Sequence, residues 1–507
     1  MLLEYRAAIA ALLSATSACT LLLARDDRQC GFDSDCERLG LSGAFCDAEG
    51  ACRPRPAESG AVAGCAKAAD CGSFARCSAG RCRPLASAEC PNVGGATDDQ
   101  AIVIGILTPR SGPAARSGLR SAAIMTRALG DPTLAGGPGF VTVECDEARL
   151  TDGVLAHLSS VSARAVIGPL DEGRALTIVD RAAAMGIAVL SPYAGSSEFQ
   201  VRARPRPHLM SAAPPVLDGI ATFRAGFESA RRAIVRRDRR AIANIVVYTT
   251  NDRPSAEFTE RIIPILRSQF PLVRRVAYDD PTTGSAAPAA RLATYALMDT
   301  YDVVVAATSP TGEFSTIVRE IEANWPETRP RPYYVTWHRD GGLVEAGIVG
   351  RAFAVDFAPP PTVVADTALA TFRERVADLA PLDRDEIAYD AAFLLAYALS
   401  ARRDRPPIAD LRADFERLSV PGAVAHGLGI ASWRAAATAL ANGGGLDVHG
   451  ASGRLDFASG RSGPRDDGAL HCLEADPARP GRGRWRRTGA SIIEGVAQGM
   501  PVCGTTW

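Results

Sequence analysis

Lysine is nearly missing from this chain: of 56 basic residues only Lys67 is a lysine, and the rest are arginine. With the heavy load of alanine, this reads as a genomic bias, so any single arginine carries less weight as a ligand. A surplus of charge is missing too. The formal net charge is −1 and no basic, aromatic-studded stripe occurs, which argues against nucleic acid as a partner. The enzyme signatures are absent: no Gly-x-Ser-x-Gly elbow, no His-Glu-x-x-His, no phosphate loop ending Gly-Lys, no Gly-x-Gly-x-x-Gly after a strand. The six histidines are scattered without metal spacing, so no metal, no cofactor and no catalytic role is expected. Beyond the first two dozen residues no stretch could span a membrane. What remains is ordinary for a folded protein: 47% hydrophobic and 22% charged residues over 507 positions, enough for two to four structural units.

The first feature present is an export signal, residues 1–24. From Ala7 to Ala24 nothing is charged, with Arg6 before and Arg25 after. The run Ser14-Ala15-Thr16-Ser17-Ala18-Cys19 resembles a bacterial lipoprotein signal, in which Cys19 would carry lipid and hold the protein on a membrane. Thr16 stands where leucine is usual, and Leu21-Leu22-Leu23 is uncommon after the lipidated residue. An uncleaved anchor is the alternative. Both place the body outside the cytoplasm, in the periplasm or at the cell surface.

Cysteine agrees with that compartment. Setting Cys19 aside leaves twelve of the thirteen, an even number, as disulfide bonding in an exported chain requires. Eight are clustered: Cys30, Cys36, Cys46, Cys52, Cys65, Cys71, Cys77 and Cys82. They form an internal repeat, each half opening Cys-x5-Cys and closing on Phe45–Pro54 or Arg76–Pro84. Units this short cannot bury a core and need covalent staples. Zinc would want closer spacing and histidine. Asp33 and Asp35 could suggest calcium, but a polar turn is the simpler reading. Residues 25–90 are thus expected to be a disulfide-rich stalk, resembling short modules near the start of some bacterial surface lipoproteins. Cys472 and Cys503, and Cys90 and Cys145, are further candidates for pairing.

From Ala101 short apolar runs alternate with helical patterns. The runs fall at 101–107, 141–143, 165–167, 188–190, 245–248, 273–278, 303–306, 333–336 and 352–357, with helical stretches such as Ser117–Leu129, Thr177–Met185, Glu257–Arg267 and Gly312–Ala323 between most of them. Strands buried on both faces and separated by amphipathic helices imply an α/β fold with parallel sheets. So many strands fit two lobes better than one. Arg231–Arg240, six arginines around Asp238, is a solvated helix end or else a patch for a membrane or partner.

Five segments, in order, resemble the periplasmic leucine/isoleucine/valine-binding type of solute-binding protein, the type I class serving ABC transporters. They are Ile104–Pro113, with its Ser-Gly-Pro loop; Ala165–Pro169; Met185–Ala194, a strand running into a Ser-Pro loop; Glu386–Ala392, with Tyr-Asp-Ala; and Gly450–Phe457, a Gly-x-x-Gly turn. The resemblance implies two doubly wound parallel-sheet lobes joined by a three-strand hinge. One lobe would take residues 100–212 and 358–445, the other 213–357 and 446–507. It also implies a small-molecule ligand held between the lobes and an ABC-type permease as partner. Transferred position by position, the ligand contacts fall on Ser111, Asp171, Glu172, Ala194, Gly195, Ser196, Arg253, Ser309 and His338. Most of these depart from the family pattern. Asp171 and Glu172 replace the hydroxyl pair after Gly-Pro, Gly195 replaces a threonine, Arg253 and Ser309 replace aromatic residues, and the acid that meets the ligand's amine in the family falls near His338. A branched-chain amino acid is therefore disfavoured. Either the acids of this chain face Arg253 across a polar, amino-acid-like or amide ligand, or they are a solvated helix start on a diverged cleft. In the latter case the chain would be a surface sensor or interaction protein.

Overall fold

The computed structural model describes residues 44–46, 52–54, 64–71, 74–78, 80–95, 100–112, 114–279, 289–308, 313–339, 341–345, 347–357, 363–379, 381, 384–400, 410–453, 455–457, 468–478, 481–493 and 496–499. Residues up to Val62 and those from Ala63 onward form separate compact units, each taken by itself.

In the first unit, β1 (Ala44–Cys46) and β2 (Cys52–Pro54) make an antiparallel hairpin with Cys46 opposite Cys52. The second unit opens on the same motif: β3 (Ala75–Ser78) and β4 (Arg81–Pro84), with Cys77 opposite Cys82. The internal repeat is therefore a repeated hairpin. Cys77 and Cys82 do not bond to each other; the disulfides are Cys65–Cys77 and Cys71–Cys82. The sulfurs of Cys65, Cys71 and Cys82 lie within 4.8 Å of one another, but each is already in a disulfide and leaves no thiolate for zinc. Asp70, the counterpart of Asp35, accepts hydrogen bonds from the amides of Ala66 and Lys67 and closes a turn. Cys19, Cys30 and Cys36 lie outside the described residues, as do the side chains of Cys46 and Cys52.

The β3–β4 module is fastened to the larger α/β body. Arg76 donates to the carbonyl of Ala101 at 3.0 Å, and the His157 ring lies 2.8 Å from the carbonyl of Leu85. Leu85 and Cys90 are buried in one apolar cluster with Val141, Val143 and Leu155, and Cys90 is bonded to Cys145.

The first sheet contains β5 (Asn92–Gly95), β6 (Ile102–Thr108), β7 (Phe140–Asp146), β8 (Ala165–Ile167), β9 (Ala188–Ser191) and β10 (Leu209–Ser211), in the order β10-β9-β8-β6-β7-β5. All neighbours are parallel except β5, which caps the edge antiparallel to β7. Every residue of β6 is buried, as a central strand covered on both faces should be. The intervening helices are α1 (Ala115–Leu134), α2 (Asp152–Ser160), α3 (Glu172–Ala184) and α4 (Ser197–Ala203). Gly118 lets α1 close onto its strand: a Cβ there would lie 2.0 Å from the carbonyl oxygen of Pro109.

α5 (Val216–Asp238) leads to the second sheet, built from β11 (Asn244–Thr250), α6 (Arg253–Arg267), β12 (Leu272–Tyr278), α7 (Ala289–Met298), β13 (Val303–Ala307), α8 (Glu313–Asn324), β14 (Tyr333–Thr336) and β15 (Ala352–Phe357). The chain then returns to the first sheet. α9 (Val363–Arg375) and α10 (Asp385–Ser400) share a core with β6, β8, β9 and α1; α11 (Leu411–Arg417), α12 (Ile430–Ala441) and β17 (Asp447–His449) join that core, and β16 (Ala425–Gly427) pairs parallel to β17. It crosses back once more to add β18 (Gly468–Ala475), β19 (Gly483–Ile493) and β20 (Val496–Gln498), all antiparallel. The second sheet reads β12-β11-β13-β14-β15-β18-β19-β20. Its core holds Phe223 and Phe227 of α5 against Phe258, Trp337 and Phe353.

Two of the family-like segments meet in space. The Asp390 carboxylate of the Tyr-Asp-Ala helix accepts from the amides of Ala451 (2.8 Å) and Ser452 (2.7 Å) and from the Ser452 hydroxyl. Gly450 is required there, since a Cβ would sit 2.2 Å from that carboxylate. The arginine run is the end of α5. Arg231 and Arg232 pair with Glu228, Arg237 donates to the carbonyl of Gly350, and Arg240 lies 3.4 Å from Asp302.

Candidate binding cleft

Loops at the carboxyl ends of the parallel strands are where open α/β sheets place ligands. In the first sheet β6 runs into Arg110 and Ser111. Ser111 donates to Asp146 at 2.7 Å, and the Arg110 amide donates to the same carboxylate at 3.0 Å. Burial pushes Asp146 up, but these donors, with the Ala148 amide, hold it below the usual carboxylate range. The hydroxyl of Ser111 is thus engaged within the loop.

The two acids after Gly168-Pro169 serve different ends. Asp171 is the N-cap of α3 and accepts from the amide of Arg174 at 2.8 Å. Glu172 turns inward and is buried. It accepts from the amides of Gly195 (3.0 Å) and Ser196 (2.9 Å) and from the Ser196 hydroxyl. Burial raises its pKa, while Ser196, Gly195 and the nearby Arg253 oppose the rise. Glu172 therefore stitches the loop after β8 to the loop after β9. Ser196 also caps α4, and Ala194 is fully buried. Gly195 cannot be the family's threonine, because a Cβ would lie 2.7 Å from the carbonyl oxygen of Pro214. The polar groups expected to face a ligand here are spent on one another.

From the second sheet, Arg253 opens α6 and pairs with Glu198 of α4 at 2.7 Å. One turn on, Glu257 accepts from the amide of Ser197 at 2.7 Å and from its hydroxyl. Both contacts join an element of one lobe to an element of the other. Ser309 lies outside the described residues. His338, after β14, is buried, and its pKa is pushed down to about 3, first by burial and then by Arg384, so the ring is neutral at pH 7.

His338 lies in a cluster that position-by-position transfer missed. Its neighbour Arg339 pairs with Asp356 at the end of β15 and reaches Glu386, on α10 of the other lobe, at 2.9 Å. Burial pushes Asp356 up, but Arg339 and His471 hold it below its ordinary value. Burial raises Glu386. Asp385 is tied to Arg120 at 2.8 Å. Arg384, at the start of α10, lies over the ring of Tyr193 with its guanidinium carbon 5.8 Å from the ring centre. Two of these residues carry a signal in the sequence: Tyr193 follows the Ser-Pro pair, and Glu386 opens the Tyr-Asp-Ala segment.

No protein-family model and no curated protein matches this chain. Solved structures do. The substrate-binding protein LivJ of a Streptococcus pneumoniae branched-chain amino acid transporter, in complex with isoleucine, aligns over 76% of this chain and 99% of its own, at 15% identity and a TM-score of 0.50. An ABC transporter solute-binding protein from Rhodopseudomonas palustris BisB5, in complex with 3,4-dihydroxybenzoic acid, aligns over 80% of this chain and 98% of its own, at 13% identity and a TM-score of 0.54. A type 1 periplasmic binding protein from Bordetella pertussis aligns over 76% and 100%, at 14% identity and a TM-score of 0.52. The chain has the type I periplasmic binding protein fold. In this type I fold the carboxyl-end loops of both sheets and the start of α10 meet around Tyr193, His338, Arg339 and Arg384. Among the described residues no helix is long and apolar enough to cross a membrane.

Proposed function

We propose that this protein is an extracytoplasmic solute-binding protein that closes two lobes on a small polar ligand and delivers it to an ABC-type permease. The observation that carries the reading is the cluster in which Arg339 of one lobe meets Glu386 of the other beside Tyr193 and Arg384, with strand-end loops of both sheets around it. A cleft of this kind excludes water and strengthens each polar contact. Residues 100–212 with 358–445, and 213–357 with 446–507, are the two lobes in this reading, and residues 1–24 direct export, with Cys19 as lipid anchor. The Cys-rich segment 25–90 joins anchor to body. The ligands of the aligned proteins, isoleucine and a hydroxylated benzoic acid, support a small solute as the class.

The test is a thermal-shift screen of the purified protein with amino acids, polyamines, amides and small anions. A ligand at a hundred times its dissociation constant adds about 2.7 kcal/mol of stability. A selective rise in melting temperature for one chemical class supports the reading. No shift with any class overturns it.

A further inference from the structure

The arginine run at the end of α5 has no part in the cleft. α5 ends shortly before β11 begins, and Arg237 reaches the carbonyl of Gly350 just ahead of β15, so these turns lie at the amino ends of the parallel strands. The loops that frame the cleft are at the opposite ends. Here α5 and β20 bound a hollow of about 400 Å³. Arg231, Arg232 and Arg236 line it from the helix, Ala497 and Gly499 line it from the strand, and among the described residues no acid lines it. The hollow exists because the strand has little to fill it. Ala497 lies opposite Ile492, which belongs to the core under α5, so Ala497 faces the helix with only a methyl group. Gly499 cannot carry a side chain, since a Cβ would lie 2.3 Å from the carbonyl oxygen of Gly489.

Charge and backbone both point to an occupant. Glu228 pairs with Arg231 at 2.7 Å and with Arg232 at 3.2 Å, so one carboxylate serves two guanidiniums. Arg236 donates its Nε to the carbonyl of Arg232, which carries no charge. Complementing the helix dipole accounts for Arg236 and Arg237 in the last turn, but that effect fades within a turn and leaves Arg231 and Arg232 unexplained. β20 bonds to β19 on one side, no described strand lies on its other side, and all three of its residues are exposed. Such an edge offers its N–H and C=O groups to an added strand.

We propose that the groove between α5 and β20 docks an extended acidic segment of a partner protein, which adds a strand to β20 and sets its carboxylates against Arg231, Arg232 and Arg236. The site goes beyond the solute-binding reading and does not depend on it, because it lies away from the cleft. A concave hollow beside a strand edge fits a peptide better than a flat lipid surface. Residues 500–507, which follow the strand, contain no Asp or Glu, so charge favours a partner over the chain's own tail.

The experiment measures fluorescence anisotropy of a labelled peptide of alternating glutamate and valine, added to the full chain. Three further probes are its lysine-for-glutamate counterpart, a copy N-methylated at alternate residues, and vesicles of phosphatidylglycerol. Each is tested on the wild type, on the double variant Arg232→Gln with Arg236→Gln, and on Ala497→Leu, which fills the hollow and leaves the charge alone. Arg232, Arg236 and Ala497 are exposed, so the variants should melt with the wild type, and either variant alone suffices should the other fail to fold. The expected result is that the acidic peptide binds and the lysine peptide does not. Both variants and the N-methylated copy should weaken binding by about tenfold or more, and added salt should weaken it further. Failure of the acidic peptide to bind, or equal affinity in wild type and variants, overturns the inference. An N-methylated copy that binds as tightly as its parent also overturns it, by removing the added strand. Binding of vesicles without binding of the peptide overturns it in favour of a lipid surface.

Discussion

Glu172 shows how a residue's neighbours decide its role. Next to the helix start it looks like a charge offered to a ligand, yet its carboxylate holds two amides and a hydroxyl of the adjoining loop. Glu172→Ser restores the hydroxyl of the family pattern but strands those donors. It should cost about 2–4 kcal/mol in chemical denaturation, with any loss of ligand affinity following from the disturbed loop. Glu147 makes a second case. It is buried, accepts from the amide of Leu170 at 2.6 Å, and has its pKa raised to about 7, chiefly by burial. The folded state then holds a proton that the unfolded state releases near pH 4.5, so this group's contribution falls as pH rises from about 4.5 to about 7. Glu147→Gln should remove that slope. Relative to wild type it should gain about 3 kcal/mol at pH 8 compared with pH 4, measured by denaturant titration at both pH values. A parallel pH dependence in the two proteins would refute the assignment.

At the scale of elements, the disulfide-rich segment ends as part of the first lobe. Cys90–Cys145 ties the segment before β5 to β7 across a separation of 55 residues, and Leu85 is buried beside it. Loop-closure entropy alone puts the worth of such a bridge at about 4 kcal/mol. Replacing both cysteines by serine should lower stability by roughly 2–4 kcal/mol and speed proteolysis within residues 85–100, leaving the Cys65–Cys77 and Cys71–Cys82 pairs intact by mass mapping. Protease resistance equal to wild type would mean that packing of Leu85 suffices. The repeat read from spacing is visible as two hairpins of the same register, because each puts its last two cysteines directly opposite one another.

The whole molecule turns on contacts between lobes. Arg253–Glu198 is half-exposed and worth at most about 1 kcal/mol. Glu257 with Ser197 and Arg339 with Glu386 are more enclosed. Glu257→Ala combined with Arg253→Ala should therefore shift the ligand-free protein toward an open arrangement, seen as a larger radius of gyration in X-ray scattering that added ligand reverses. An unchanged radius would show that these contacts do not govern closure. Membrane attachment through a lipid on Cys19 is a separate expectation from the sequence alone. Cys19→Ser should release the protein into the soluble extracytoplasmic fraction, and persistent attachment of the full-length chain would favour the uncleaved anchor.

Nine strands of the two sheets were legible because a parallel strand covered on both faces must be a continuous apolar run, whereas β10, also parallel, was missed. β8, β14 and β15 coincide with such runs, β6 is offset from its run by one residue, β9, β12 and β13 extend theirs by one residue, and β7 and β11 by four and three. The antiparallel additions were not legible. β19 carries Arg484, Arg486 and Arg487, and β5 is Asn-Val-Gly-Gly, so neither has the apolar signature, and only pairing with a neighbour makes them strands. The cleft divided in the same way. Short motifs located its loops, since turn chemistry is local. Which polar atom meets which was decided by tertiary structure, because Glu172 and Ser196 are 24 residues apart, and Arg339 and Glu386 are 47. Sequence alone thus determined an α/β scaffold of parallel sheets with a cysteine repeat before it, and the structure made that repeat two hairpins. Only folding, which sets Arg339 between Asp356 and Glu386 and lays Arg384 over Tyr193, decided which charges meet in the cleft.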